Sequence, residues 1–325
     1  MVPSKYTLRD KSILVTGGAG FIGSHLVDRL IAENPRELVV VDNFFLGKEE
    51  NLIAALEMKK DLRVIRLDAA NFVAMQDVVT KFGTEVVFDL ATIPLPTSLL
   101  YPSWTISTIV GVVNTFCELT RLGRIERLLH LSSSEAYGSA SYVPMDEKHP
   151  HEASTPYASS KSAADLIIQS YVKTFGINAT IARPFNNFGP RQNPGSYAGI
   201  IPIVVQNVMS GIPIEIFGDG LQTRDFTYVL QTVDLVTRLF QEPKSQGETF
   251  NVATGFETSI NDLVRMILNV MGAPNHPVIH VPPRMEDVRR HCADVTKTKA
   301  LLGLSADAIS LDEISETIDW YRKIL

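Results

Sequence analysis

The segment 16–23, which reads Thr-Gly-Gly-Ala-Gly-Phe-Ile-Gly, constrains the fold of this chain more than any other feature. It follows an apolar run at 13–15 and opens a pattern of apolar residues at helical spacing, Ile22, Leu26 and Leu30. This order predicts a strand, a glycine-rich turn and a helix. The spaced glycines would let a pyrophosphate approach the backbone, where the helix N-terminus supplies N–H donors. Because a strand and a helix flank the turn, we interpret it as a dinucleotide-binding motif rather than a plain connection.

A second apolar run, at 38–41, supports this interpretation because it ends in an acidic residue. That residue is Asp42, which lies 19 residues after Gly23. A carboxylate at this position can accept hydrogen bonds from both ribose hydroxyls of an adenosine. It would also repel a 2′-phosphate, so the sequence predicts NAD rather than NADP as the cofactor.

Charge and composition exclude several other kinds of protein. The net charge is −6, and we find no basic cluster interleaved with aromatic residues, so a nucleic-acid partner is not expected. Two cysteines, Cys117 and Cys292, are too few for a disulfide framework and fit a reducing compartment. The first 20 residues carry charges and no long apolar core, and no apolar run approaches the length of a membrane span. We therefore expect a cytoplasmic protein with no membrane partner.

Strand and helix patterns alternate through the first half of the chain, which predicts an α/β fold with a Rossmann-type, doubly wound parallel sheet. Predicted strands lie at 12–16, 38–41, 63–67, 86–90, 127–131 and 178–182. Predicted helices lie at 22–33, 48–59, 72–82, 103–122 and 156–175. Thr155 can cap the last helix, Pro156 suits its first position, and Gly176 can end it in a left-handed conformation.

Proline and glycine become frequent after Pro184, and the alternation of strand and helix patterns weakens there. We interpret this change as the start of a smaller α/β lobe that binds the substrate. The predicted NAD-binding Rossmann domain covers 1–183, and a segment at about 226–248, helical near 226–241, returns to it. The predicted substrate-binding lobe covers 184–225 and 249–325.

Tyr157 and Lys161 are four residues apart on a predicted helix and therefore share a face. A phenol normally has a pKa near 10. A neighbouring ammonium, together with the positive nicotinamide ring of NAD⁺, would favour the phenolate and lower that pKa. The pair predicts a base that takes a proton from a sugar or alcohol hydroxyl while hydride leaves for the nicotinamide. The alternative is a solvated Tyr–Lys pair on a helix surface.

The segment 131–138 places three serines and a glutamate just after a predicted strand. Hydroxyl groups at the carboxyl end of a sheet strand lie where open α/β folds bind ligands. Ser133 can hydrogen-bond the same hydroxyl that Tyr157 would deprotonate. A polar turn without a role in catalysis is the alternative.

Taken together, these motifs resemble those of extended short-chain dehydrogenases/reductases of the nucleotide-sugar epimerase/dehydratase family, over nearly the whole chain. The matching segments are 16–23, 132–135, 183–186, 217–220, 224–226 and 284–287. The matching single residues are Asp42, Asp68, Tyr157, Lys161, Asn251 and Gly255. The chain departs from the family pattern at Asp89, at Thr108 and in the loop 91–96.

The resemblance implies tightly held NAD⁺ that takes hydride from a sugar carbon, usually C4, and later returns it. Tyr157 would be the base, Lys161 would hold the ribose, and Ser133 would orient the hydroxyl. The implied cofactor contacts are Gly17, Gly20, Phe21, Ile22, Gly23, Asp42, Asn43, Asp68, Ala69, Leu90, Ala91, Tyr157, Lys161 and Pro184.

The resemblance also implies a nucleoside diphosphate sugar as the substrate and a set of residues that bind it. These residues are Pro94, Asn186, Gln192, Tyr197, Arg224, Arg284 and Asp287. A planar guanidinium matches phosphate oxygens in a bidentate manner, which favours arginine for this role. For Arg224 and Arg284 the alternative is a surface ion pair with Asp225 or Asp287.

The reaction that follows oxidation at C4 depends on the acid–base groups beside the sugar. Glu135, next to Ser134, occupies the position where the family's dehydratases and uronate decarboxylases carry glutamate, and it favours a 4,6-dehydratase. The loop 192–202 instead resembles that of 4-epimerases, and the proline-rich loop at 94–96 resembles that of decarboxylases. These three reactions stay open, as does a dinucleotide-binding protein without turnover.

Two further expectations concern assembly and metals. The resemblance implies that the helices at 103–122 and 156–175 form a four-helix interface in a homodimer. The histidines, among them His149, His151 and His291, follow no common zinc spacing, so no metal site is expected.

Overall fold

A seven-stranded parallel sheet forms the centre of the computed structural model, which describes residues 5–195, 199–283 and 288–325. Its strands are β1 (Ser12–Thr16), β2 (Glu37–Asp42), β3 (Arg63–Arg66), β4 (Val86–Asp89), β5 (Arg127–Leu131), β6 (Ala179–Pro184) and β11 (Thr249–Val252). The strand order is β11-β6-β5-β4-β1-β2-β3. The chain therefore builds outward from β1 in one direction and then returns to build in the other, which confirms the doubly wound α/β class.

Helices cover both faces of this sheet and build much of the second lobe. They are α1 (Phe21–Ile31), α2 (Ile53–Met58), α3 (Phe72–Phe82), α4 (Leu95–Leu100), α5 (Pro102–Arg121), α6 (Pro156–Phe175), α7 (Ile200–Met209), α8 (Val229–Gln241), α9 (Ile260–Val270), α10 (Thr296–Leu302) and α11 (Leu311–Ile324). Within the described ranges, no helix has the length and apolar content to cross a membrane.

Successive side chains of each strand point to opposite faces of the sheet and enter different cores. Val15 of β1 packs in a cluster with Leu26 of α1 and Val236 of α8. Leu14, its neighbour, belongs to the opposite cluster, which includes Ile168 of α6. The near-continuous burial of β1 follows from this two-sided packing.

The smaller lobe contains three short sheets around its own apolar cluster. Its strands are β7 (Asn186–Phe188), β8 (Ile214–Phe217), β9 (Thr223–Arg224), β10 (Phe226–Tyr228), β12 (Thr258–Ser259), β13 (Val278–Val281) and β14 (Arg290–His291). The pairs are β7 with β10, β8 with β13, and β9 with both β12 and β14. Helices α7, α9 and α11 supply most of the apolar side chains of this lobe.

The structure differs from the sequence prediction at several places. Residues 226–228, predicted to be helical, form strand β10 beside β7 in the smaller lobe. Residues Thr249–Val252 were predicted in the smaller lobe, but as β11 they form the edge strand of the large sheet beside β6. The helix predicted at 48–59 is a 3₁₀ turn at Glu49–Leu52 followed by the short α2. Helix α4 was not predicted. Four-residue strands and one-turn helices carry little periodicity, so tertiary contacts decide them.

The ends of α6 agree with the sequence prediction. The Thr155 hydroxyl accepts a hydrogen bond from the Ala158 N–H at 3.1 Å, and Pro156 occupies the first turn. Gly176 ends the helix with φ at 68°. These caps set where α6 begins and therefore where Tyr157 and Lys161 stand relative to the sheet.

Replacing the N-cap should weaken the whole fold measurably. We expect Thr155→Ala to lower the free energy of unfolding by about 1 kcal/mol, because an N–H of the first turn loses its acceptor. Denaturant unfolding followed by circular dichroism measures this value. The control is Ser159→Ala, at an exposed position of the same helix, for which no comparable loss is expected. Equal stability of Thr155→Ala and the unmodified protein would contradict the capping role.

Candidate active site

One large cavity, of about 400 Å³, lies at the carboxyl ends of β1, β4 and β5. This is the point where the strand order reverses, and open α/β sheets bind ligands there. The predicted residues that line it are Gly17, Gly20, Phe21, Ile22, Gly23, Asp42, Asn43, Asp68, Ala69, Leu90, Ala91, Pro94, Ser133, Ser134, Glu135, Tyr157, Lys161, Pro184, Asn186 and Gln192. The structure therefore brings together residues from both lobes that are up to 175 positions apart.

The glycine turn at the end of β1 packs so closely that side chains have no room. Gly17 has φ at 63°, and a Cβ added there would lie 2.9 Å from the Leu90 carbonyl oxygen. A Cβ on Gly23 would lie only 2.1 Å from the Gly17 carbonyl oxygen. The turn can thus bring its backbone N–H groups against a diphosphate, as the sequence predicted.

Asp42, at the end of β2, is held in place by the same turn. Its carboxylate accepts hydrogen bonds from the N–H groups of Ala19, at 3.0 Å, and Phe44, at 2.8 Å. Each oxygen keeps a lone pair that a ribose hydroxyl can use. Burial raises the pKa of Asp42, and the two backbone hydrogen bonds oppose that rise. The glycine turn and this carboxylate fit the pyrophosphate and adenosine ribose of NAD.

Tyr157, in the first turn of α6, is half-buried beside two hydroxyl groups. Burial raises the pKa of Tyr157 to about 12, and hydrogen bonding with Ser133 and Thr92 opposes the rise. The sequence predicted that Lys161 together with NAD⁺ would lower this pKa. In the protein alone, burial outweighs the hydrogen bonds and raises it.

Lys161 is buried one turn further along α6 and points to the end of β5. Its Nζ donates a hydrogen bond to the Leu131 carbonyl oxygen at 2.9 Å. Burial lowers the pKa of Lys161 to about 8, while the negative charges of Asp89 and Asp165 oppose that change. The Lys161 side chain is thus fixed at the end of β5, where it lines the cavity.

Ser133 and Glu135 lie at the start of a 3₁₀ turn, Ser134–Tyr137, which directly follows β5. The Ser133 hydroxyl accepts a hydrogen bond from the Glu135 N–H at 3.2 Å. Burial raises the pKa of Glu135, and the positive charge of Arg224 opposes the rise. A carboxyl group with a raised pKa is suited to exchange protons near neutral pH.

The substrate side of the cavity contains polar groups that have no partner among the described residues. These buried atoms are Oδ1 of Asn186, Oε1 of Gln192 and Oγ of Ser132. Buried polar groups are normally hydrogen-bonded, so a ligand that supplies donors would satisfy them. Asn186 and Gln192 were predicted as substrate residues, whereas Ser132 was not.

Of the remaining predicted substrate residues, the structure describes only Arg224. Its Nη1 donates to the carbonyl oxygens of Thr223 and Val288, and its positive charge acts on Glu135 of the cavity. Tyr197, Arg284 and Asp287 lie outside the described residues. The carboxylate of Asp225, the alternative partner of Arg224, accepts hydrogen bonds from Thr254 and Gly255.

Several cavity residues were not predicted from the sequence. They include Thr92, Thr108, Val112, Phe185, Asn187 and Asn193. Thr92 could have been identified, because it comes just after the carboxyl end of a predicted strand, as Ser133 does. Thr108 lies on α5, whose sequence gives no sign of which face meets the cofactor. Among the described residues, no group of His, Cys, Asp and Glu is arranged to hold a metal ion.

Comparison with known proteins decides the family. Residues 13–253 match the model of the NAD dependent epimerase/dehydratase family. The chain belongs to this family. A UDP-glucose 4-epimerase of Mycolicibacterium smegmatis is 34% identical over 312 residues, covering 95% of this chain and 98% of that protein. A dTDP-glucose 4,6-dehydratase of an Actinoplanes species is 31% identical, covering 95% of this chain and 97% of the other.

A solved structure supports the same assignment. The dTDP-glucose 4,6-dehydratase DesIV of Streptomyces venezuelae, solved with NAD bound, is 28% identical with a TM-score of 0.86. The match covers 96% of this chain and 97% of that one. This epimerase/dehydratase family member is therefore an NAD-dependent enzyme, which confirms the predicted cofactor. Because the family includes both epimerases and dehydratases, the family assignment alone does not give the reaction.

Filling the glycine turn should reduce cofactor binding. We expect Gly23→Ala to weaken NAD binding at least about tenfold, because the added methyl group would overlap the Gly17 carbonyl oxygen. Cofactor content after purification and titration of stripped protein measure this effect. The control is Gly123→Ala, a left-handed glycine with open space around it, which should keep normal NAD affinity. Normal NAD content in Gly23→Ala would contradict the predicted role of the turn.

Proposed function

We propose that this family member oxidises the C4 hydroxyl of a nucleoside diphosphate sugar to a transient 4-keto sugar. The proposal is supported by Tyr157, Ser133 and Lys161 lining one cavity with the glycine turn. The relatives named above support the substrate class, since their names refer to UDP-glucose and dTDP-glucose.

In this proposal Tyr157 removes the proton of the C4 hydroxyl, which Ser133 holds in place. When bound, NAD⁺ accepts the hydride from C4 and returns it later, and its pyridinium charge favours the phenolate. That charge matters because burial alone holds the pKa of Tyr157 near 12. Lys161 would hold the nicotinamide ribose and add a second positive charge close to the phenol.

We propose elimination of water as the step that follows, which makes the enzyme an NDP-hexose 4,6-dehydratase. The observation that carries this proposal is Glu135, whose carboxyl group lines the same cavity and has a raised pKa. A keto group at C4 acidifies the proton on C5. Glu135 would take this proton and give it to the departing C6 hydroxyl, which leaves as water. Hydride would then return to C6 and a proton from solvent would be added at C5, which gives a 4-keto-6-deoxy sugar.

A 4-epimerase is the second candidate, and a different observation favours it. Ser134, beside Glu135, has a hydroxyl where a second acid would otherwise assist the leaving group. Of the described cavity acids, Asp42 and Asp68 lie with the cofactor-binding residues, so Glu135 is the one on the reacting side. In an epimerase the keto sugar would rotate and take the hydride back at C4 from its other face.

We also propose how the nucleoside diphosphate is held. Asn186, Gln192 and Pro94 would contact the substrate from the cavity wall, which two unsatisfied amide oxygens support. Arg224, Arg284, Tyr197 and Asp287 remain proposed diphosphate or nucleoside contacts on the resemblance alone.

We propose a reducing compartment such as the cytoplasm. The two cysteines, Cys117 and Cys292, are buried and form no disulfide, which supports this location.

Changing Glu135 separates the two halves of the proposed reaction. We expect Glu135→Gln to reduce product formation by about 10²–10⁴-fold, because the amide cannot take the C5 proton. Oxidation at C4 should persist and appear as enzyme-bound NADH absorbance. Tyr157→Phe should remove both signals, and Glu152→Gln, at an exposed acid, should retain both.

The product mass identifies the reaction when the enzyme is incubated with UDP-, dTDP- and GDP-sugars. Loss of one water supports the dehydratase. An unchanged mass with inverted C4 rejects it in favour of the epimerase, and loss of carbon dioxide from UDP-glucuronate indicates a decarboxylase. Full turnover by Glu135→Gln would show that Glu135 is not the base, and failure to form NADH with any sugar nucleotide would favour a binding protein without turnover.

We propose that the enzyme is a homodimer joined through α5 and α6. Ile106 and Leu166 expose apolar side chains on these helices, and burial against a second copy would remove them from water. Leu166→Glu should give a monomer in sedimentation at micromolar concentration. Leu311→Glu is a matched control, because Leu166 and Leu311 are both 55% exposed but lie on different helices. A monomeric unmodified protein would reject the dimer.

A further inference from the structure

Asp89, the last residue of β4, accepts two short hydrogen bonds from the neighbouring strands. The Thr16 hydroxyl of β1 donates to Oδ1 at 2.7 Å, and Nδ1 of His130 in β5 donates to Oδ2 at 2.7 Å. The three residues are directly opposite one another in the sheet register. All three are at most 1% exposed, so water does not replace these bonds.

This buried triplet joins the strand ends that form the active site. The Thr16 hydroxyl oxygen also accepts hydrogen bonds from the N–H groups of Leu90 and Ala91, each at 3.1 Å. Thr16 immediately precedes the glycine turn, and Leu90 and Ala91 begin the loop that carries Thr92. On the other side, His130 precedes Leu131, whose carbonyl oxygen holds Lys161.

Two buried carboxylates, Asp89 and Asp165, act on the charge of Lys161. Asp165, the other carboxylate that acts on Lys161, already forms a buried ion pair with Arg183 at 2.7 Å. Lys161 has no carboxylate within 4.0 Å among the described residues. Asp89 is paired with a histidine whose Nε2 is buried and lacks a partner there, so a second proton on that ring would be an unsatisfied donor.

We propose that Asp89 is a positioning residue that ties together the ends of β1, β4 and β5 and supplies the counter-charge that keeps Lys161 cationic beneath the cofactor. This inference rests on the proposed roles of Tyr157 and Lys161. It goes beyond them because no motif assigns a role to Asp89, which departs from the family pattern.

The electrostatic step follows from the groups that face Lys161 and Asp89. Burial lowers the pKa of Lys161 to about 8, and Asp89 and then Asp165 oppose this effect. The charge of Asp89 also acts on the Cys117 thiol of α5. Burial, the larger cause, raises the pKa of this thiol to about 12, so the thiol adds no charge beside Lys161. Thr16 carries no charge. Removing the charge of Asp89 should therefore lower the pKa of Lys161 further, because less charge would oppose the effect of burial.

The first test is the pH dependence of kcat/KM for Asp89→Asn. Asparagine keeps the shape of the side chain but has no charge. We expect the alkaline limb of the pH profile, where kcat/KM falls as pH rises, to move to lower pH by roughly one unit. The reason is that Lys161 would lose its proton at a lower pH. His130→Asn keeps the carboxylate and should leave the limb in place. An unshifted limb in Asp89→Asn, or an equal shift in His130→Asn, overturns the proposal.

The second test uses cofactor-free protein and does not depend on the reaction. Burial that lowers the pKa of a lysine in the folded state destabilises the folded protein wherever the lysine of the unfolded chain is protonated. This destabilisation is complete below the folded-state pKa and decreases as the pH rises toward the unfolded-state pKa. The loss of stability in Asp89→Asn should therefore be larger near pH 7 than near pH 9.5. A loss that is equal at both pH values indicates a purely structural role and overturns the charge argument. Asp225→Asn, at another buried carboxylate, should give this equal loss.

An exchange variant keeps the proposal testable if Asp89→Asn does not fold. Asp89→His combined with His130→Asp retains the pair and moves the carboxylate one strand across. If the alkaline limb lies at the same pH as in the unmodified enzyme, the result supports a carboxylate that acts on the charge of Lys161. A limb that moves to lower pH overturns this role. If Tyr157 and Lys161 were not the reacting groups, the unmodified enzyme would lack this limb, while the unfolding test would still report on Asp89.

Discussion

The close contact between the glycine turn and the end of β4 is the constraint on which the rest of the site depends. Gly17 lies against the Leu90 carbonyl oxygen with no room for a side chain, and Gly23 lies against Gly17. This contact brings the turn to the point where the strand order reverses. The N–H groups of the turn, the Asp42 carboxylate and the residues that follow β4 and β5 then surround one cavity, and NAD binding becomes possible there.

Burial controls the proton chemistry of this cavity. Removal from water raises the pKa of Tyr157 and of Glu135 and lowers the pKa of Lys161. Each shift favours the neutral form, so charge must be restored by specific partners. In our proposal the bound cofactor does this for Tyr157, and the carboxylate of Asp89 does it for Lys161.

Relatives that share this fold carry out different reactions, since they include 4-epimerases and 4,6-dehydratases. In our proposal the early steps of both reactions use the same groups, a dinucleotide site and a Tyr–Lys–Ser set. The acid–base groups on the far side of the sugar then decide between the reactions, and we propose Glu135 and its neighbour Ser134 for this role, because the fold alone does not select a reaction.

The sequence by itself determined the features that depend on local spacing: the glycine turn, Asp42 after β2, the caps of α6, and Tyr157 with Lys161 on one helix. Only the tertiary structure decided that β11 joins the large sheet, that Arg224 donates to the carbonyl oxygens of Thr223 and Val288, that burial dominates the pKa of Tyr157, and that Asp89 meets Thr16 and His130. The physical reason is that these contacts join segments far apart in the chain. Strand register and burial create these contacts, and the sequence next to any one partner predicts neither of them.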